Sequence, residues 1–324
     1  MRRRDFIPLA GVAAVAGYAS LKMKPAPEKL ASGPRGNSSV AVIRAKSYSD
    51  ELAQKILEGV RQCGLNVAGK RVLLKPNLVE FDPATVINTN AAVLAAAWEV
   101  FHQLGAAHVT IAEGPGHRRD SFGLAEDAGY FEAVHGLDGT FVDLNRDDVA
   151  CVRNFANEAK FYFPQTVLDA DLIVSLAKMK THHWAGATLS MKNLFGLVPG
   201  SVYGWPKNKL HYIGIEESII ALNRRFRNTF AIVDGIVGME GNGPIQGTPK
   251  FSGVLVMGGD LAAVDSTCCR IMGIDPSKVE YLRRAAEFGH VEQSRIEQRG
   301  EAISAVSTHY DLLPEFQKLR LARS

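Results

Sequence analysis

Apolar strand runs alternate with amphipathic helices along this chain, which predicts an α/β fold: a mainly parallel sheet with helices on both faces. Two further observations agree. The strand candidates are continuous apolar runs, as expected of strands buried on both sides. Five of them end in loops that carry charge, glycine or both, and in open α/β sheets ligands bind outside the carboxyl ends of the strands. The α/β domain is expected over residues 38–324, a length that admits one large domain or two lobes.

The elements follow in order. Val40 to Arg44 reads as a strand. Asp50 to Cys63 reads as a helix with Leu52, Ile56, Leu57 and Val60 on one face, Ser49 or Asp50 as cap and Gly64 as stop. Arg71 to Lys75 is a strand, Asn90 to Leu104 a helix closed by Gly105, and His108 to Glu113 a strand. An antiparallel pair is expected between Ala150 and Phe163. Asp171 to Ala177 and Thr229 to Asp234 are strands separated by a helix from Gly214 to Phe226. Ser252 to Gly258 is the last strand, with helices over Leu261 to Met272 and Pro276 to Phe288.

Ahead of this domain, Arg3-Arg4-Asp5-Phe6-Ile7 matches the twin-arginine pattern, and a small-residue-rich apolar run reaches Leu21. It falls short of the ~20 residues that span a bilayer comfortably. Residues 1–20 are therefore expected to be a signal peptide, with an uncleaved anchor as the rival, and residues 21–37 a flexible linker. The expected location is extracytoplasmic, periplasmic or in the cell envelope, with the twin-arginine translocase as the partner during export. Seven Lys and Arg against two Asp and Glu lie up to Asn37, so the rest holds 37 − 7 = 30 against 34 − 2 = 32. That near-neutral balance gives no support to nucleic-acid binding. Cys63, Cys151, Cys268 and Cys269 follow no C-x-x-C spacing, and Cys268 and Cys269 fit small buried thiols in an apolar helix.

The unusual residues sit at the strand ends. Lys75-Pro76-Asn77, Glu113-Gly114-Pro115-Gly116, Lys178-Met179-Lys180-Thr181-His182, Asp234 with Glu240-Gly241-Asn242-Gly243, and Gly258-Gly259-Asp260 each follow an apolar run. Lysine is rarely buried without a partner, so Lys75, Lys178, Lys180 and Lys192 together point to an anion such as phosphate, carboxylate or an enolate. Lys180, His182 and Lys192 are the catalytic candidates, because burial can bring a lysine or histidine into the range of a general base. Lys178, Lys180 and His182 alternate and would share one side of an extended chain. Thr188 and Lys192 would share a helix face. Lys75, Asn77, Glu113, Gly114, Lys178, Asn193, Gly241 and Gly243 are the ligand-binding candidates. Asp234, Glu240 and Asp260 offer oxygen ligands for a divalent metal. Asp265 lies within an apolar helical pattern, where a cap or ion-pair role is equally open. His182 and His183 lack the spacing of a zinc motif.

These same motifs, with Met191-Lys192-Asn193-Leu194-Phe195-Gly196, Asp234-Gly235-Ile236 and Gly241-Asn242-Gly243-Pro244, resemble the DUF362 family from about Val40 to Gly289. The resemblance implies a shared architecture and site but no established reaction. Many members of that family carry a ferredoxin-like module with cysteine runs. This chain departs from them in lacking such a run, so no iron-sulfur cluster is expected. The exported twin-arginine form resembles one branch of the family.

Three functions remain open at this stage. One is an enzyme acting on a small anionic compound, and a second is a non-catalytic binder of an anion or metal complex. The third is an accessory factor for an exported redox partner, contacted through Trp184, Tyr203 and Trp205. On location the sequence makes a direct prediction: changing Arg3→Lys together with Arg4→Lys should leave the precursor in the cytoplasm on fractionation. Normal export of that double variant would refute the twin-arginine assignment.

Overall fold

The computed structural model describes residues 36–322; the expected signal peptide and nearly all of the linker lie outside them. Among the described residues there are eleven strands: β1 (Ser38–Arg44), β2 (Arg71–Pro76), β3 (His108–Glu113), β4 (Val142–Asp143), β5 (Val149–Phe155), β6 (Glu158–Pro164), β7 (Leu172–His182), β8 (Gly186–Thr188), β9 (Thr229–Glu240), β10 (Thr248–Gly258) and β11 (Ile296–Gly300). Nine of them form one sheet in the order β11-β1-β10-β9-β7-β2-β3-β4, with β8 paired to β7. β10 runs antiparallel to both β9 and β1, β8 runs antiparallel to β7, and the other pairings are parallel. The two remaining strands, β5 and β6, form a separate antiparallel hairpin.

Helices cover both faces, as expected. On one, α1 (Leu52–Gln62) and α2 (Ala91–Gln103) bring Ile56, Val60, Val93, Val100 and Phe101 against Leu74, Val174, Leu176 and Ile232. On the other, helices Ile215–Arg225 and Leu261–Ile271 bring Ile219, Leu222, Val264 and Cys268 against Leu73, Ile173, Val233 and Val256. Asn90 caps α2 by accepting from the Ala92 N–H at 2.9 Å. α1 has no such cap: Glu51 takes the position, while Asp50 accepts from Lys46 and Ser47. Cys268 and Cys269 are free and buried. No described helix is long and apolar enough to cross a membrane.

Two departures from the expected elements matter for the site. β7 continues five residues past Ala177, and all eleven of its residues are buried. Its last three pair with β8, Lys180 opposite Thr188 and His182 opposite Gly186. Thr188 is therefore a strand residue, while Lys192 lies in the short helix Ser190–Asn193, so the two do not share a helix face. β9 likewise runs on to Glu240, and its register against β7 slips between Lys178 and Lys180.

From β2 the chain moves outward to β3 and β4, then returns through the hairpin to β7 on the opposite side of β2. The strand order thus reverses between β2 and β7, and such a switch point opens a crevice at the carboxyl edge. Lys75-Pro76-Asn77 and Lys178 to His182 occupy that edge.

Candidate functional site

Five lysines meet at the switch point, and they differ in how many of their three N–H donors the protein uses. Lys75 uses all three. Its Nζ donates to Glu113 Oε2 at 2.5 Å, Asn193 Oδ1 at 2.9 Å and the Pro76 carbonyl at 2.9 Å. Burial pushes Lys75 down and Glu113 up, and each opposes the other's shift. Glu113 also accepts from the Gly114 N–H at 2.8 Å, a bond that favours the carboxylate. Lys178 donates to Asp234 at 2.9 Å and to the Tyr48 hydroxyl at 2.8 Å. Asp234 is further held by Tyr48 and by the N–H groups of Asn90 and Ile236.

Lys180 has no carboxylate partner among the described residues. Its Nζ donates to the carbonyls of Ile87 at 2.9 Å and Pro244 at 3.2 Å, and the residue is fully buried. Burial, and then the positive charges of Lys192, Lys178 and Lys75, push its pKa far below the ordinary lysine value. Lys192 is half-buried, its ammonium lies 4.6 Å from the centroid of the Phe195 ring, and no acceptor reaches it among the described residues. Burial brings it down to about 8. The fifth lysine, Lys207, is buried against Asn145 Oδ1 at 2.6 Å and the Val198 carbonyl. It is pushed down to about 7 by burial, with Glu113 opposing.

His182 accepts from the N–H groups of Trp184 at 3.0 Å and Ala185 at 3.2 Å through Nδ1. Its proton therefore sits on Nε2. Burial first, then Lys192, holds the imidazole neutral. Beside Phe195, which lies under the Lys192 ammonium, His211 stands edge to face with both Phe195 and Trp184. Trp184 is 59% exposed.

Asp265 fixes where Lys192 and Asn193 stand. Its carboxylate accepts from the Ser190 N–H at 2.8 Å, Ser190 Oγ at 2.5 Å, the Met191 N–H at 3.1 Å and the Tyr281 hydroxyl at 3.3 Å. It thereby holds the first turn of helix Ser190–Asn193. Burial pushes the carboxyl up to about 7 against those donors. Gly196 completes the packing, since a Cβ there would lie 1.9 Å from Glu113 Oε1 and 2.5 Å from Lys75 Cε.

The expected site residues divide accordingly. Lys75, Glu113, Lys178, Lys180, Lys192, Asn193 and Asp234 are brought together through these contacts and charges, with Gly114 packed against Gly196, Asn145 and Lys207. Asn77 and Asn193 serve the scaffold: Asn77 Nδ2 donates to the Ile87 carbonyl, and Asn193 Nδ2 to the Lys75 carbonyl and Ser175 Oγ. Gly241 and Gly243 clasp the end of β7 through Thr181 and His183, and a Cβ on Gly243 would lie 2.2 Å from the Thr181 carbonyl oxygen. The metal set does not assemble. Asp234 is engaged by Lys178. Glu240 accepts from the Asp311 N–H and pairs with Lys250, and Asp260 caps helix Leu261–Ile271 while bonding Ser38 and the His290 N–H. No group of three or more His, Cys, Asp or Glu among the described residues is placed to hold a metal ion.

Tyr48, Asn145, Ser175, Ser190 and Lys207 were not singled out in the sequence. Tyr48 lies in a loop before α1, and Lys207 reaches the cluster from a left-handed backbone position, neither of which a strand-end pattern marks. Surface cavities are also present away from the cluster, for example one of about 330 Å³ bordered by Arg119, Phe141 and Arg146.

Two stability outcomes follow. Asp234→Ala leaves the Lys178 ammonium buried without its carboxylate and should cost about 3–5 kcal/mol in urea denaturation. Replacing the pair together, Asp234→Leu with Lys178→Met, should recover part of that loss. Gly196→Ala should cost about 1–3 kcal/mol by overpacking the Lys75–Glu113 pair, whereas Gly139→Ala, with open space around its Cβ, should change little. Equal effects of the two alanines would contradict the packing described.

The model of the family described as domain of unknown function, DUF362, matches residues 72–270. The thylakoid-associated protein sll1697 of Synechocystis sp. is 29% identical over 261 residues, covering 78% of this chain and 79% of that protein. Among solved structures, the lactate racemase apoprotein of Thermoanaerobacterium thermosaccharolyticum superposes with a TM-score of 0.45 at 13% identity. That match covers 74% of this chain, which spans 57% of the solved one. With a family model matching more than half of its length, the chain belongs to the DUF362 family.

Proposed function

We propose that the switch-point cluster binds a small anion, a carboxylate or phosphate compound, and acts on it as an enzyme. The observation that carries this reading is a charge imbalance. Lys75, Lys178, Lys180, Lys192 and Lys207 stand against two buried carboxylates, Glu113 and Asp234, with Asp143 also acting on Lys207. Two buried pairs account for Lys75 and Lys178, and Lys207 shares Glu113. Lys180 and Lys192 have no acid among the described residues, and both have N–H donors to spare. An anion resting on Lys180 beside Lys192 supplies the missing acceptor. Lys192 and the neutral His182 are the acid–base groups beside it. The twin-arginine pattern supports placing this chemistry outside the cytoplasm. The exposure of Trp184 favours a second reading, contact with an exported redox partner; Trp184→Ala would then weaken partner binding and leave the anion response intact.

The test is thermal shift with inorganic phosphate and with citrate. A ligand specific to the folded form stabilises it by about 2.7 kcal/mol at a hundredfold excess over Kd. Lys180→Ala and Lys192→Ala should each weaken the response. The pH dependence has a fixed sign. The anion prefers protonated Lys192, so affinity should be high below pH 8 and fall as pH rises through about 8, and binding near pH 8 should take up protons. Indifference of the wild-type protein to a full panel of carboxylates and phosphates would sink the anion reading.

A further inference from the structure

Lys192 and Lys180 are not equivalent, and the difference narrows the ligand. Lys180 is fixed by two carbonyls at the bottom of the cluster and keeps one N–H free. Lys192 has no acceptor among the described residues, lies over the face of the Phe195 ring and is only half-buried where Lys180 is fully buried. Around it are Lys180 and His182 from β7 and His211 from helix Asn208–Ile213. No carboxylate among the described residues pairs with it. An amine held without acceptors, beside other cations and an apolar wall, is the arrangement that makes lysine a nucleophile toward carbonyl compounds.

We infer that Lys192 forms an imine with a small anionic carbonyl compound, a 2-oxo acid or a phosphorylated aldehyde or ketone, whose acid group rests on Lys180. This rests on the anion reading above and adds a covalent step to it. The Nζ lone pair adds to the carbonyl carbon, the π pair moves to oxygen, and a proton passes from nitrogen to that oxygen. The nitrogen lone pair then expels the hydroxyl, which takes a proton from solvent and leaves as water. The product is a protonated imine, with no net oxidation or reduction. His182, with its proton on Nε2, provides a neutral donor for the carbonyl or hydroxyl oxygen. The pKa of Lys192, about 8, leaves a useful fraction of free amine at neutral pH.

The experiment is borohydride trapping on the whole protein with pyruvate, and separately with ribose 5-phosphate, read by peptide mass mapping. Thermal shift with citrate runs in parallel. Borohydride delivers hydride to the imine carbon and fixes the adduct as a secondary amine. The expected result is an adduct concentrated on the Lys192 peptide, competed away by citrate and absent in Lys192→Arg. Its rate should be roughly tenfold lower at pH 6.5 than at pH 8 and level off above that. An exposed lysine instead gains about tenfold per pH unit up to its ordinary pKa near 10.4. Mapping of the wild-type protein decides the question even if the variant fails to fold. A citrate shift with no Lys192 adduct, or adducts spread evenly over exposed lysines, would overturn the imine and leave anion binding standing. Absence of both shift and adduct would overturn the two together.

Discussion

Burying lysines in excess over carboxylates is the constraint around which the carboxyl edge of this sheet is organised. A buried ammonium without a partner is costly, and one partnered by a carboxylate still carries a desolvation penalty. The protein meets that penalty unevenly. Lys75 and Lys178 each receive an acid and further acceptors. Lys180 receives only carbonyl oxygens, and Lys192 receives a ring face. The gradient runs from a fully satisfied cation inside to an unsatisfied one at the opening, and it gives the site a direction.

The surrounding structure is spent on holding that gradient in place. Asp265 reaches from helix Leu261–Ile271 to fix the turn that carries Lys192 and Asn193. Asn193 in turn spans Lys75 and Ser175, tying β2 to β7 across the switch point. Gly196 and Gly243 allow close approach where any side chain would collide with the ion pair or with the β7 backbone. Few of these groups can meet a ligand, yet removing them would let the lysines relax toward solvent or toward one another.

Much of the fold was legible because periodicity and punctuation record local preference. The apolar runs of β2, β3, β7 and β9 and the helices α1 and α2 stand close to where the pattern puts them. The ends of β7 and β9 were not legible. Lysine and histidine look like loop residues, and only pairing with β8 and β9 keeps them extended. The same limit applied to the site. Strand-end lysines and Glu113 were visible as misplaced charge, but Tyr48, Asn145 and Lys207 arrive from loops whose sequence has no periodicity to read.

By itself the sequence determined the class of fold, the edge of the sheet where charge collects and the residue types available there. Those depend on nearest-neighbour preference and on the rarity of buried lysine. Only the tertiary structure decided which charges cancel. Asp234 could not be told from a metal ligand, nor Lys75 from a ligand contact, until Lys178 and Glu113 stood beside them. Asp234, Glu240 and Asp260 looked alike as acids at strand ends and do three separate jobs. The reason is physical: a charge takes its role from the groups within a few ångströms of it, and those come from distant parts of the chain, 38 residues away for Lys75 and Glu113 and 56 for Lys178 and Asp234.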